Sequence, residues 1–349
     1  MKQRARGGTA EADASITAAA AILVSGGLVA FPTETVYGLG ADAENPAAVA
    51  RIYQAKGRPA DHPVIVHVAP GADLAHWSDA IPDEARQLVA AFWPGPLTLI
   101  LKRAPHIPDA VSGGQDTVGL RCPSHPVAIA LLRAFKGGQG GVAAPSANKF
   151  GHVSPTRAQH VRDEFGLDDG AGDGLIGAVL DGGQSAVGIE STIVDLSRLA
   201  THGPVLLRPG HISAEAIAAV IGRLPAAPDA AAPRVSGALD SHYAPATPVL
   251  LLAPDTLAET LNQLLNAERR VALIHYSDQA PASASVRLPE LADAYAHGLY
   301  AALRTMDQVG AAVILVEAPP ALPAWFGIND RLQRAAHGSG AVLQQLLAS

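Results

Sequence analysis

One cysteine in 349 residues is the sharpest shortage in this sequence. With Cys122 as the sole thiol, the chain forms no internal disulfide and offers no CxxC zinc site. That usage fits a reducing, cytoplasmic setting. Aromatic residues make up only 4%, and the formal net charge is −7. Both weigh against a protein that coats nucleic acid, although a local basic cluster is compatible with that average. No apolar run reaches the ~20 residues of a membrane-spanning helix. The basic start "MKQRARGG" and the apolar "ITAAAAILVSGGLVAF" look like a signal peptide, but Glu11, Asp13 and Gly26-Gly27 interrupt the pattern. Residues 11–25 read better as an Ala-rich helix that leads into a strand. Several standard signatures are missing too. There is no GxxxxGK[ST] loop, no GxGxxG after a strand, no GxSxG elbow and no HExxH pair.

Hydrophobic residues make up 48%, enough for a sizeable core, and the length suits two ordinary domains. Strand-like runs fall at 28–31, 64–68, 97–102, 117–122, 141–145, 178–183, 191–196 and 204–208. Helical spacing lies between them at 46–56, 82–92, 126–135 and 156–166. This alternation predicts a mixed α/β domain. After Arg223 the Pro- and Ala-rich stretch to 247 predicts an extended, semi-rigid linker. Beyond it, strands at 249–253, 270–276 and 312–318 alternate with helices near 255–267, 289–306 and 329–347. That rhythm predicts a small open parallel sheet. The division is thus residues 1–222, a linker 223–247, and residues 248–349.

Polar residues gather where strands end. "FPTETVYGLG" (31–40) puts Thr33, Glu34, Thr35 and Tyr37 before two glycines, which suits either a capped turn or a carboxylate or phosphate site. In "KGRP", Lys56 and Arg58 either offset the negative end of a helix or supply a point charge and a forked donor for phosphate. His67 alternates with Ile65 in "VIVHV" and reads as a core residue or a ligand contact. Arg121 lies inside an apolar strand, where a charge requires a partner or a ligand anion. Ser146, Asn148 and Ser154 stand in a Pro/Gly-punctuated loop, Ser191 and Thr192 at a strand start, and Arg208 at a strand end. "GGQGG" (137–141) lacks the lysine and hydroxyl of a phosphate loop and reads as a flexible turn. Scattered over many strand ends, these side chains suit a pocket for a polyanion.

In order, "FPTETVYGLG", "KGRP…PVIVHV", "RCPSHP", "PSANKFGHVSPT", "GIESTIVD" and "LRPG" resemble the YrdC-type domain of the threonylcarbamoyl-AMP synthases. "SHYAP" in a Pro-rich linker, followed by a small β-α domain, resembles the long, two-domain form. The resemblance spans residues ~11–340, read as a domain, a linker and a second domain. It implies a twisted mixed sheet with helices around a concave cavity, plus a small Rossmann-like parallel domain. It implies a nucleotidyltransferase that joins L-threonine, bicarbonate and ATP into threonylcarbamoyl-AMP and pyrophosphate. A partner machinery then modifies the adenosine beside the anticodon of ANN-decoding tRNAs, and weak tRNA binding is compatible with this. Magnesium would come with ATP, without zinc or an organic cofactor.

Carried over by position, the resemblance assigns Thr35, His67, Arg121, Ser191 and the Ala144 backbone to threonine, with Arg121 clamping both carboxylate oxygens. It assigns Arg58, His62, Thr117, Ser146, Ser154 and Arg208 to the nucleotide. On the same resemblance Lys56 and Arg58 would stabilise charge on the phosphates, and Tyr243 would close over the nucleotide. His62 stands where the family often has Asn, Phe150 where a small residue is common, and Ser236 where Pro is frequent. A YrdC-like RNA-binding module without adenylate chemistry is the alternative. The related hydrogenase-maturation carbamoyltransferases need zinc-binding cysteines that one Cys cannot supply.

Overall fold

A computed structural model of the chain describes residues 15–168, 174–237, 242–278 and 282–348. The strands are β1 (Leu28–Phe31), β2 (Gly38–Asp42), β3 (Ile65–Val68), β4 (Ser78–Ala80), β5 (Leu97–Arg103), β6 (Thr117–Arg121) and β7 (Gly141–Ala143). They continue with β8 (Ile176–Val179), β9 (Thr192–Asp195), β10 (Val205–Arg208), β11 (Val249–Leu252), β12 (Val271–His275), β13 (Ala284–Arg287) and β14 (Val313–Glu317). The first ten form one sheet in the order β10-β9-β5-β6-β3-β7-β2-β1-β8, with β4 on β5. Parallel and antiparallel pairs mix within it. The last four form a separate sheet, β11-β14-β12-β13, and every pair in it is parallel.

Register brings the site residues together. Parallel pairing of β3 with β6 sets His67 opposite Arg121, and parallel pairing of β5 with β9 sets Leu97 opposite Thr192. Side chains alternate along a strand. Ile65 and His67 therefore share a face, and Val66 enters the main core on the other. The core side chains Trp77, Leu39 and Ile52 are fully buried, each contributing roughly 1.5–3 kcal/mol.

Helix Pro46–Lys56 shows how local sequence aims a functional residue. Asn45 caps its start by accepting from the amides of Ala47 (3.1 Å) and Ala48 (3.2 Å), and Pro46 occupies the first turn. Gly57, at φ +63°, ends it in the left-handed conformation. Lys56 is thereby delivered, buried, at the helix's negative end.

Several expectations shift. Residues 15–24 are helical, and 11–14 lie outside the described residues. The strand expected at 178–183 sits at Ile176–Val179. The last helix divides into Phe326–Ala335 and Val342–Ala348, with Gly338 at φ +84° between them. β2 hides in "GLGAD", where a Cβ on Gly40 would come within 2.8 Å of Phe31 and Val142. Gly141, read both as the end of the "GGQGG" turn and as the start of a strand at 141–145, takes the second role. It opens β7, and a Cβ there would lie 2.4 Å from Trp77. β13 makes the second sheet four-stranded rather than three-stranded. No helix among the described residues is long and apolar enough to cross a membrane.

Candidate active site

One small cavity gathers eight of the predicted residues. Thr35, His67, Arg121, Ala144, Ser146, Ser191, Arg208 and Tyr243 line it, with Glu190, Ser236 and His242 beside them. Its volume is about 40 Å³, little more than one water needs. A larger trough of about 540 Å³ runs past Lys102, Leu196 and Arg223 elsewhere on the molecule. No polar side chain lining that trough is buried, so chemistry has less to work with there.

On one wall, the Thr33 hydroxyl donates to the Val36 carbonyl (2.6 Å) and meets the Thr35 hydroxyl (2.9 Å), which fixes the "TET" turn. Glu34 in this turn accepts from Arg121 Nη2 (2.7 Å) and from the Ser124 amide (3.0 Å). Arg121 Nε reaches the Gly95 carbonyl at 3.4 Å. One arm of the predicted clamp is thus already committed to Glu34, and a ligand carboxylate meets a fork that is partly in use. His67 lies edge-on to Phe31, with ring centroids 6.0 Å apart. Burial, reinforced by the Arg121 charge, drops its pKa to about 3, so it stays neutral in the physiological range.

The opposite wall is built from β9, β10 and the linker. Ser191 Oγ sits 2.8 Å from Thr98 Oγ1 and accepts from Arg208 Nη2 (3.2 Å). Arg208 also donates to the Ser191 carbonyl (Nη2, 2.9 Å) and the Ser236 carbonyl (Nη1, 2.8 Å). Ser154 donates to Glu190 Oε1 (2.5 Å). Tyr243 is buried at φ +59°, stacked on Tyr300 at 5.8 Å, with the Arg331 guanidinium 5.4 Å from its ring. A Cβ on Gly237 would meet its hydroxyl at 1.9 Å, so the linker backbone packs directly on that oxygen.

The stretch 51–68 divides its residues. Lys56 Nζ donates to the carbonyls of Ser146 (2.6 Å) and Asn148, pinning the "PSAN" loop. Burial and the nearby Arg58 charge bring its pKa well below that of a free lysine. Arg58 donates to the Pro63 carbonyl (2.7 Å) and the Ser236 hydroxyl (3.3 Å), and burial lowers it to about 10. Its Nε has no partner. His62 is half-buried outside the cavity, edge-on to Phe150 at 5.4 Å, and Phe150 in turn meets His242. Thr117 lines a neighbouring crevice that shares Ile65 and Ser236 with the cavity.

Sequence reasoning assigned no role to Glu34, Glu190, Thr98, Tyr300 or Arg331. Glu34 and Glu190 stand inside the quoted motifs, and carboxylates next to strand-end glycines and hydroxyls are a readable signal. Tyr300 and Arg331 carry none, being 110 and 141 residues from the Glu190 they contact.

Comparison with known proteins identifies the family. The family model described as "Telomere recombination" matches residues 21–210, and "Threonylcarbamoyl-AMP synthase, C-terminal domain" matches 212–337. The threonylcarbamoyl-AMP synthase of Pyrococcus abyssi is 38% identical over 331 residues, spanning 92% of this chain and 93% of that protein. The chain belongs to the threonylcarbamoyl-AMP synthase family. It is an enzyme of the nucleotidyltransferase type. The Bacillus subtilis member is 39% identical over 343 residues, covering 93% of this chain and 94% of its own. The crystal structure of Pyrococcus abyssi Sua5 complexed with L-threonine superposes with a TM-score of 0.84. It has 37% identity and covers 93% of this chain and 94% of that one. The twisted mixed sheet and the separate parallel sheet are those of this family.

Proposed function

We propose that the chain is an L-threonylcarbamoyladenylate synthase, which uses L-threonine, bicarbonate or CO2, and ATP. The observation that carries this reading is the single cavity in which Thr35, His67, Arg121 and Ser191 meet Ser146, Arg208 and Tyr243. The threonine-bound relative, alike over 93% of the chain, supports it. The threonine amine attacks the carbon of CO2 and loses a proton, giving a carbamate. A carbamate oxygen then attacks the α-phosphorus. The bond to the β-phosphate's bridging oxygen breaks, and pyrophosphate leaves with that electron pair. Threonine's carboxylate meets Arg121, with Thr35, His67, Ser191 and the Ala144 backbone around the rest of the amino acid. Neutral His67 serves as a hydrogen-bonding wall rather than a charge.

Arg58, Ser146, Ser154 and Arg208 act on the nucleotide side, with His62 and Thr117 at its edge. Lys56 has two of its three donors on carbonyls and one left for phosphate. Rate enhancement on this reading comes from positioning and charge stabilisation. Glu34 and Glu190 are taken up by Arg121, Ser124, Ser154, Tyr300 and Arg331. Magnesium would come with the nucleotide and would supply charge neutralisation on its phosphates.

A cavity of about 40 Å³ cannot hold ATP, so His242 and Tyr243, in the linker 223–247 between domains 1–222 and 248–349, move as a lid. Residues 238–241 of that linker lie outside the described residues. Tyr243 and His242 leave to admit substrates and return to exclude water from the mixed anhydride. The product passes to the machinery that modifies the adenosine beside the anticodon in ANN-decoding tRNAs, a cytoplasmic role. Purified protein should release pyrophosphate only when ATP, threonine and bicarbonate are all present. Release that ignores threonine overturns the reading.

A further inference from the structure

Arg331 belongs to helix Phe326–Ala335, beside the second sheet, yet its side chain is fully buried against the first domain. Its Nε donates to Glu190 Oε2 (2.9 Å), Nη1 to the Pro209 carbonyl (2.8 Å), and Nη2 to the Glu190 carbonyl (3.3 Å). Asp330 takes a further bond from Nη1 (2.7 Å) and offsets the charge. One guanidinium thus ties two backbone carbonyls on two segments, and each carbonyl adjoins a cavity residue. Glu190 precedes Ser191, and Pro209 follows Arg208. Tyr300, from helix Ala292–Asp307, donates to the same Glu190 oxygen at 2.8 Å. The helix start presses close as well, since a Cβ on Gly327 would lie 3.1 Å from the Gly210 Cα.

We propose that Arg331 is a positioning residue for the reaction. By fixing the carbonyls of Glu190 and Pro209, it sets the orientation of Ser191 and Arg208, so the second domain supplies part of the site's rigid support. The inference rests on the synthase reading above. A planar fork can hold two carbonyls and a carboxylate in one geometry, whereas lysine offers a point charge on a flexible stem. A displacement of about 1 Å at positioned groups costs on the order of 100-fold in rate.

The test is a double-mutant cycle on the full chain, pairing Arg331→Lys with Ser191→Ala. The readout is threonine-dependent pyrophosphate release, with kcat and KM for threonine resolved. Arg331→Lys should lower kcat/KM at least tenfold in the wild-type background. With Ser191 already truncated, the same change should cost threefold or less, because part of what Arg331 positions is gone. Equal factors in both backgrounds, or a lowered melting temperature with unchanged kcat and KM, overturn the proposal. If Arg331→Lys does not fold, Tyr300→Phe enters the same cycle, with about threefold expected and the same non-additivity. If wild type fails the three-substrate assay, the synthase reading falls, and the cycle is run on threonine affinity by calorimetry. Additivity there overturns the positioning role alone, and no threonine binding by wild type overturns both.

Discussion

Two buried arginine–glutamate pairs flank the cavity, and they are built to different ends. Arg121–Glu34 closes at 2.7 Å within the first domain, and Arg121 lines the cavity itself. Arg331–Glu190 closes at 2.9 Å between the domains, with Arg331 wholly out of solvent and bonded to two carbonyls as well. The surroundings of Glu190 decide its charge. Burial alone would push its pKa up, but Arg331, Arg208 and the Ser154 hydroxyl bring it down to about 2. A pair that faces a cavity can exchange partners with a ligand. Glu190 lines the cavity too, but Ser154, Tyr300 and Arg331 already occupy its carboxylate, so this pair is held in place. The first suits recognition and the second suits support.

Acid is the broadest way to break the comparison, because each pair has a buried histidine near it. His67 beside Arg121 and His242 near Glu190 both have pKa values lowered to about 3, chiefly by burial. Their unfolded values lie near 6.5, so the unfolded chain takes up protons first as pH falls. Stability is fully present above about pH 6.5 and drains away toward pH 3. Denaturant melts should lose on the order of 6 kcal/mol between pH 6.5 and 4, about half from each histidine. His242→Gln should remove part of that slope, and an unchanged slope would reassign it.

Glu190→Gln should follow in size. It leaves Arg331 buried without its full counter-charge, at about 3 kcal/mol in equilibrium unfolding. A cost below ~1 kcal/mol would put this pair on the footing of a surface ion pair. Arg121→Ala should cost about 2 kcal/mol of threonine affinity, roughly 30-fold, and much less for ATP. Calorimetry showing the reverse order would move the carboxylate elsewhere. The smallest effect belongs to the linker. Tyr243→Ala should lower turnover about fivefold, about 1 kcal/mol, while the first domain keeps its fold by circular dichroism. Unchanged turnover would end the lid reading.

The two pairs also mark how far the sequence could be read. Arg121 was legible because a guanidinium inside "TVGLRC" violates the alternation around it. Its partner sits in a motif already notable for hydroxyls. β1, β3 and β9 were legible as β-branched or aliphatic runs. β2 was not, because its glycines look like a turn until Phe31 and Val142 are seen to crowd them. The last helix read as continuous because apolar periodicity outlasts a single glycine with positive φ. Arg331 was illegible for a different reason. In helix Phe326–Ala335 a charged residue looks like an ordinary solvated position, and only the packing of one domain on the other turns it inward.

That long reach has a consequence for how the enzyme is made. Glu190 and Arg331 are 141 residues apart, and translation at about 5–20 residues per second separates their emergence by roughly 7–28 s. During that interval the nascent first domain can fold around Thr35, His67 and Arg121 while Glu190 waits for its guanidinium. The strand start that carries Ser191 is thus among the last parts of the enzyme to be secured, and on the positioning role proposed for Arg331 catalytic competence would wait for the second domain.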